Sequence, residues 1–450
     1  MKPSVCVGVL FLLTLLTASG TARSQPAYDL TVYTSMGEAS ESIPVGTKIT
    51  TKNWDKYQRF MSFGLRSLMS QKFFWKVPAE AVLEVGPTIR IGLPRKYRED
   101  TEKYRNQVKL VPQPDGGYSI SGYVAGVPFP DIDPKDPLAG VKLIYDNYYN
   151  YIPYRVFSEA GPKNGAGWTA VDRYGNKTWS YVYEIYYKFK HVSDPGMGVN
   201  APDQQGDIFL SQNNVVWQPE QSKYTNDLLI FYDDPARAPE VYVFVPALRR
   251  SLRLSSAARC APLLGSDYVA DDSREGLNIQ PPIFQGKLLG TRRVLQIAHA
   301  DPAGYQNYNN YFSPTSFPNS GVGRWELRDA YVVDIQRIPS LQRGYCYAHR
   351  VVFLDKETYE PIDIDLYDSN AKFWKGILNI YYPTPMPGSP GDYVTALGGP
   401  GNICSELWDI QNNHITLAIM YNTKINAEVP HQYWDSYRWG TPAGMSQVMQ

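Results

Sequence analysis

The chain has 450 residues, and its 44 lysine and arginine side chains are balanced by 44 aspartate and glutamate side chains. A formal net charge of zero excludes a protein that holds nucleic acid through a strongly basic surface. Aromatic residues make up 14% of the chain, together with 35 glycines and 35 prolines. This composition favours a β-rich protein with many turns.

The N-terminus has the pattern of a secretory signal peptide. Lys2 precedes an apolar stretch over residues 5–16, and small residues follow it. The stretch is too short to span a bilayer, which needs about 20 apolar residues. Cys6 lies at its start and not just after it, where a lipid-anchored cysteine would be. We therefore expect residues 1–24 to be cleaved and residues 25–450 to be a soluble periplasmic protein without a lipid anchor.

Two segments carry apolar residues at helical spacing. The second covers residues 95–108, where oppositely charged pairs four residues apart support the helix. The first begins at Asn53 as N-cap and has its apolar positions at Trp54, Tyr57, Met61, Leu65 and Leu68.

The segment around Phe129 predicts a rigid turn. Pro128 and Pro130 flank Phe129, and each proline fixes φ at about −65°. Gly126, just before them, accepts backbone conformations that other residues resist. We expect these four residues to shape the fold and not to bind a ligand.

Residues 178–189 alternate strictly and predict a strand with one buried and one wetter face. One face is aromatic and apolar, and the other mixes polar residues with Val182 and Tyr186. Further strands are predicted at residues 119–125, 228–232, 241–245, 248–255, 287–297, 324–335, 345–353 and 362–367.

The number of alternating strands and the few helices predict a mainly β (α+β) fold with one antiparallel sheet. A sheet of this size curls because its strands twist. Residues 194–213, rich in proline, glycine and asparagine, are predicted to form a long loop. We expect residues 25–450 to form one domain with long loop insertions.

Three cysteines follow the predicted signal peptide: Cys260, Cys346 and Cys404. In an oxidising compartment we expect one disulfide and one free thiol. Cys346 with Cys404 is the first choice, although the sequence leaves all three pairings open.

No catalytic motif is present. The chain lacks HExxH, GxSxG and GxxxxGK[ST], and its five histidines are scattered. Cys404 with His414 would make a nucleophile and base, but a disulfide or buried thiol is favoured because no third orienting group is evident. Acidic clusters at residues 131–136 and 363–368 lack the glycine and glutamate of a calcium loop. We expect no catalytic residue, metal or cofactor.

The aromatic face of residues 178–189 is the candidate ligand site. An apolar wall of this kind can enclose a hydrophobic molecule. Two alternatives stay open: a core face packed under the helix over residues 54–68, and aromatic platforms for sugars. The groove candidates are Trp179, Tyr181, Tyr183, Ile185, Tyr187 and Phe189.

Several blocks along the chain resemble the domain of unknown function 1329 family of Gram-negative envelope proteins. The most specific block is Tyr-Val-Ala-Gly-Val-Pro-Phe-Pro at residues 123–130, and the resemblance extends from about residue 45 to about residue 430. The chain departs from many relatives in its cysteines and in a tyrosine-rich segment at residues 145–154. The other blocks lie at residues 49–54, 93–104, 245–250, 284–287, 325–328, 354–359 and 367–368.

The resemblance implies the fold of the periplasmic lipoprotein carriers, an incomplete β-barrel with a few helices on its open side. It also implies a carrier of a lipid or another hydrophobic molecule, acting toward the outer membrane with an exporter of the resistance-nodulation-division type and in transient contact with that membrane. No catalytic residues come with it. Two other functions stay open: a secreted hydrolase of envelope glycans or esters, and a structural subunit of an envelope assembly.

Overall fold

The computed structural model describes residues 26–161, 166–254, 259–263, 265–305, 307–394, 402–420 and 423–449. The predicted signal peptide at residues 1–24 lies outside these ranges. Within them, no helix is long and apolar enough to cross a membrane.

A single antiparallel sheet of 15 strands dominates the described part of the chain. Its strands follow the order β11-β10-β9-β8-β7-β6-β22-β21-β18-β17-β16-β15-β12, while β5 pairs with β7 and β23 pairs with β5. The order ends at β11 and β12, so the curved sheet does not close into a barrel, which confirms the predicted fold class. The strands are β1 Lys48–Ile49, β2 Leu83–Glu84, β3 Lys109–Pro112, β4 Tyr118–Ser121, β5 Arg155–Ser158, β6 Gly167–Val171, β7 Lys177–Lys188, β8 Ile208–Gln218, β9 Asn226–Tyr232, β10 Glu240–Val245, β11 Arg250–Arg253, β12 Phe284–Gln296, β13 Tyr311–Phe312, β14 Phe317–Pro318, β15 Glu326–Arg337, β16 Tyr347–Asp355, β17 Pro361–Asp368, β18 Phe373–Tyr381, β19 Thr384–Pro385, β20 Tyr393–Val394, β21 Asn402–Asp409, β22 His414–Ile419 and β23 Thr423–Ile425.

The α-helices of the described ranges are few and short. The second predicted helix is confirmed but ends earlier than expected, at Lys103. The longest helix, Ala139–Tyr148, was not predicted, because nearly all its residues are buried and it lacks a polar face. The helices are α1 Thr31–Thr34, α2 Phe63–Met69, α3 Arg95–Lys103, α4 Ala139–Tyr148, α5 Ser273–Gly276, α6 Pro302–Tyr305 and α7 Ser436–Gly440.

The first predicted helix is divided into two pieces. A 3₁₀ helix covers Trp54–Phe60, and α2 begins after Ser62, whose hydroxyl accepts from the Leu65 N–H at 3.2 Å. The Asp365 carboxylate on β17 accepts the first N–H groups of α2, those of Phe63 at 2.8 Å and Gly64 at 2.7 Å. A carboxylate at a helix N-terminus is stabilising, so this contact fixes α2 on the sheet.

The sheet is covered on both faces. Face A carries the odd-numbered residues of β7, such as Tyr183 and Ile185, and face B carries the even-numbered ones, such as Val182 and Glu184. The N-terminal segment with α2 and the C-terminal segment with α7 cover face A. The helices α3 and α4 and the residues around α5 cover face B. The prediction that one face of this strand is wetter is therefore wrong for its second half, because Val182, Glu184 and Tyr186 are all buried.

Most predicted strands are confirmed within a few residues of their ends. The predicted loop at residues 194–213 is wrong in its last part, since β8 begins at Ile208. The polar run Ser211 to Asn214 is typical of a turn but here lies within the sheet, with Ser211 fully buried.

The expected single disulfide is confirmed, but the first-choice pairing is wrong. Cys260 is bonded to Cys346, with Cα atoms 5.8 Å apart, and Cys404 is a free, buried thiol. Cys404 points into the core on face A, whereas Cys260 and Cys346 both border the core on face B. The sheet therefore separates Cys404 from the other two.

The predicted turn lies between α3 and α4. Gly126 has φ +81°, and a Cβ there would come within 2.4 Å of the Thr101 backbone nitrogen on α3. The Val127 N–H donates to Thr101 Oγ1 at 2.9 Å, and the Phe129 N–H donates to Asp146 Oδ1 on α4 at 2.7 Å. These contacts support a structural role for Gly126 and Phe129. For Pro128 and Pro130 that role stays a prediction, which mutagenesis can test.

Candidate functional site

A cavity of about 120 Å³ lies on face B, between the sheet and the residues around α5. Strands β6, β7, β8, β9, β21 and β22 supply one wall, and residues 263–275 supply most of the other. Its lining is Trp168, Val182, Glu184, Tyr186, Gln212, Asn214, Asp227, Leu263, Ser266, Tyr268, Asp272, Ser273, Arg274, Glu275, Ser405, Ala418 and Met420.

The two ends of the cavity differ in chemistry. At one end, Trp168 and Met420 pack against the small apolar cluster of Ala166, Val182 and Val216. Two residues further along β7 the lining becomes polar at Glu184. Glu184 lies on the same face as Val182, because every second residue of a strand shares a face. The cavity thus runs from an apolar end to a polar end within about 7 Å of strand.

Three neighbouring strands build the polar end through their register. Glu184 lies opposite Asn214, and Asn214 lies opposite Asp227. Strands are about 4.8 Å apart, so the Cα atoms of Glu184 and Asp227 are separated by about 10 Å. Tyr186 and Gln212 form the next row.

The Glu184 side chain is buried, and within the described ranges only one of its two carboxylate oxygens accepts hydrogen bonds. Its Oε1 accepts from the Tyr186 hydroxyl at 2.7 Å and from Gln212 Nε2 at 3.2 Å, while Oε2 has no donor among the described residues. Burial raises the pKa of Glu184 to about 7, although both hydrogen bonds favour the ionised form. Burial likewise raises the pKa of Asp227 to about 6, against the hydrogen bond from Asn214.

The wall opposite the sheet is held by its own ion pairs. Asp272 lies 3.0 Å from an Arg350 guanidinium nitrogen and accepts from the Tyr347 hydroxyl at 2.7 Å. Arg274 and Glu275 have left-handed backbone angles, with φ +55° and +53°. Conformations of this kind persist only where the surroundings enforce them, and they concentrate at functional sites.

The catalytic pair considered from the sequence is not assembled. His414 lies on face B and bonds Asp267 at 3.2 Å, whereas Cys404 lies on face A of the neighbouring strand. Among the described residues, no group of three or more His, Cys, Asp or Glu side chains is arranged to hold a metal ion. Two residues of the acidic clusters at residues 131–136 and 363–368 have structural partners: Asp365 caps α2, and Asp136 pairs with Lys142 at 2.6 Å.

The aromatic residues predicted to line a groove lie on face A, away from the cavity. Ile185, Tyr187 and Phe189 are buried under the C-terminal segment, where Tyr433 and Trp439 pack on them. For these three residues the packed alternative describes the structure, with the C-terminal segment and not the helix at residues 54–68 as the cover. Trp179 is 51% exposed, and Tyr181 and Tyr183 are half-buried. The groove stays a prediction for these three.

Sequence reasoning missed the cavity because its residues come from six strands and a distant segment. The one local indication was Glu184, a carboxylate between Val182 and Tyr186 in an otherwise aromatic strand. A charge at such a position requires either solvent or a function.

The chain belongs to a family of proteins of unknown function, DUF1329, whose model matches residues 48–438. Among solved structures it is similar to a domain from Vibrio parahaemolyticus with a proposed role in outer membrane lipoprotein sorting, at 12% identity and a TM-score of 0.44, over 68% of this chain and 100% of that one. A DUF1329 protein from Desulfovibrio piger matches at 14% identity with the same TM-score and coverage. A LolA superfamily protein from Nitrosomonas europaea matches at 9% identity and a TM-score of 0.35, over 66% of this chain and 99% of that one. No curated protein matches the chain.

Proposed function

We propose that this protein binds and carries an amphipathic molecule whose apolar chain enters the face B cavity. The observation that carries the proposal is the cavity itself, which has an apolar end at Val182 and Met420 and a polar end at Glu184 and Asp227. Apolar walls with a few placed polar groups are the usual composition of a small-molecule site.

The physical basis of carrying is simple. Each methylene group that leaves water gains about 0.8 kcal/mol, so a short alkyl chain is held without a covalent bond. Release then needs only an acceptor that offers the chain an equally dry environment. A carrier of this kind requires no catalytic residue.

The location of the carrier and its transport partner are also part of the proposal. The predicted signal peptide supports a periplasmic location, and the family resemblance supports transport toward the outer membrane together with a resistance-nodulation-division type exporter. Transient contact with the outer membrane would follow from delivery there.

The test is probe binding by a variant in which the cavity is filled. Ala418 lines the cavity and lies opposite Trp168 of the apolar end, so Ala418→Phe should reduce the fluorescence gain of Nile red by at least about tenfold at equal protein concentration. Ala170→Phe is the matched control, because Ala170 lies on the same face of neighbouring β6 but outside the lining. Tyr183→Ala in the same assay tests the face A groove. Unchanged binding by a folded Ala418→Phe variant would contradict a site in this cavity.

One observation favours a second function, a hydrolase. Glu184 and Asp227 face one cavity with pKa values raised to about 7 and about 6, and pairs of carboxylates with different pKa values serve as acid and base in glycosidases. Turnover of nitrophenyl esters or glycosides that is lost in Glu184→Gln would favour the hydrolase. Co-purifying amphiphile in native mass spectrometry, without turnover, would favour the carrier, and a stoichiometric protein partner would favour a structural subunit.

A further inference from the structure

Three acceptor oxygens at the polar end of the cavity have no hydrogen-bond donor among the described residues. They are Glu184 Oε2, Gln212 Oε1 and Asp227 Oδ1. The three side chains are only 4%, 2% and 3% exposed. Buried acceptors are almost always satisfied in folded proteins, and each exception asks for an explanation. Because all three side chains line one cavity, a ligand inside it can supply the missing donors.

The charge at this end is also uncompensated. Glu184 and Asp227 form no ion pair with any described residue, although each carries a carboxylate. On the opposite wall Asp272 is paired with Arg350, while the cation Arg274 donates to the Tyr148 carbonyl at 3.3 Å and keeps a buried Nε–H without a partner among the described residues. Glu275 lies beside Arg274, so the charge of this cation is balanced within its own wall. A guest that meets the polar end therefore meets the net negative charge of Glu184 and Asp227 and three unpaired acceptors.

The common head groups of amphiphiles differ in how well they match these two features. A carboxylate or phosphate brings acceptors and negative charge, so it is repelled. A hydroxyl brings one donor and no charge, and a quaternary ammonium brings charge and no donor. A primary ammonium brings one positive charge and three donors, and hydrogen bonds between ions are the strong ones.

We propose that the cavity takes an amphiphile with a primary ammonium head, which Glu184, Gln212 and Asp227 bind, and that it rejects fatty acids. This inference rests on the proposed carrier function and names the ligand class of the same site. The apolar chain would then lie toward Val182, Trp168 and Met420.

The test compares ligands with one chain length and different head groups. Decylamine and decanoate below their micelle concentrations, and decanol below its solubility limit, are titrated into the mature protein by isothermal calorimetry at pH 7.5. Decylamine and decanol carry the same alkyl chain, so their ranking reports the head group, and the chain of decanoate is shorter by only one methylene group. We expect decylamine to bind at least about tenfold more tightly than decanol and decanoate to bind most weakly.

Substitutions at the polar end test whether its two carboxylates cause the preference for decylamine. Glu184→Gln and Asp227→Asn should each bring the affinity for decylamine close to that for decanol. Glu406→Gln is the matched control, because Glu406 on β21 is also buried with both oxygens unpartnered among the described residues. Its strand neighbours Cys404 and Trp408 lie in the face A core, so it points away from the cavity. This variant should keep the preference for decylamine.

The outcomes separate the two proposals. Equal affinities for the three decyl ligands, or a preference for decylamine that survives in both Glu184→Gln and Asp227→Asn, would overturn the ammonium inference and leave the carrier function standing. Failure of the wild-type protein to bind Nile red or any decyl ligand would overturn the carrier function itself.

Discussion

Replacing Glu184 by glutamine should change how the stability of the protein depends on pH. Burial raises the pKa of Glu184 from its ordinary value of 4.5 to about 7 in the folded protein. The folded protein therefore holds this proton more tightly than the unfolded chain does. The resulting stability is fully present below pH 4.5 and is lost as the pH rises to about 7.

The size of the effect follows from the two pKa values. One pKa unit corresponds to about 1.4 kcal/mol, so the gap corresponds to about 3 kcal/mol of unfolding free energy. Glutamine has nearly the same shape, can accept from the Tyr186 hydroxyl and does not ionise. Relative to the wild-type protein, Glu184→Gln should therefore gain about 3 kcal/mol between pH 4.5 and pH 7.5.

Urea unfolding followed by tryptophan fluorescence at four pH values from 4.5 to 7.5 measures this difference. Glu80→Gln serves as control, because Glu80 is exposed and folding changes its surroundings little. Parallel stability profiles for the wild-type protein and Glu184→Gln would refute the reasoning. They would mean that Glu184 is ionised when the protein is folded and that water in the cavity solvates it.

Two further predictions concern the scaffold. Gly126→Val should lower the unfolding free energy by about 3 kcal/mol, because it combines left-handed strain with a clash against Thr101. Gly116→Val should cost only about 1 kcal/mol, since φ there is +93° but nothing lies within 4 Å of the new Cβ; equal losses in urea denaturation would contradict the clash. Removing the disulfide by Cys260→Ser with Cys346→Ser should cost about 4 to 5 kcal/mol for a loop of 86 residues, and an unchanged urea midpoint would refute this.

The sequence predicts the sheet well and the cavity poorly. Period-two alternation is a local property, so β7 and β15 can be located from their own residues. The register that brings Glu184, Asn214 and Asp227 into one row is a long-range property. Asn213 and Asn214 favour a turn when considered alone, and only the buried neighbours β7 and β9 make them part of a strand.

The two faces of β7 show why local sequence patterns also fail to predict the candidate site. Alternation predicts which residues share a face but not what covers that face. Ile185, Tyr187 and Phe189 are covered by the C-terminal segment, more than 230 residues away along the chain, as the hydrogen bond from the Tyr187 hydroxyl to the Tyr433 carbonyl 246 positions further on illustrates. The predicted pairing of Cys346 with Cys404 is wrong for the same reason, because the sheet separates the two residues.

The disulfide makes the wall of the face B cavity depend on the redox conditions in which the protein folds. Cys346 lies between Tyr345 and Tyr347, whose hydroxyls donate to Asp271 and Asp272 of the cavity wall at 2.7 Å each. Its bond to Cys260 joins this anchor to the start of the same wall. Disulfides persist in oxidising compartments and are rare in the cytosol. In the proposed periplasmic carrier, the wall would therefore become covalently fastened only after export, and the cavity would be completed where the proposed ligand is collected and not where the chain is synthesised.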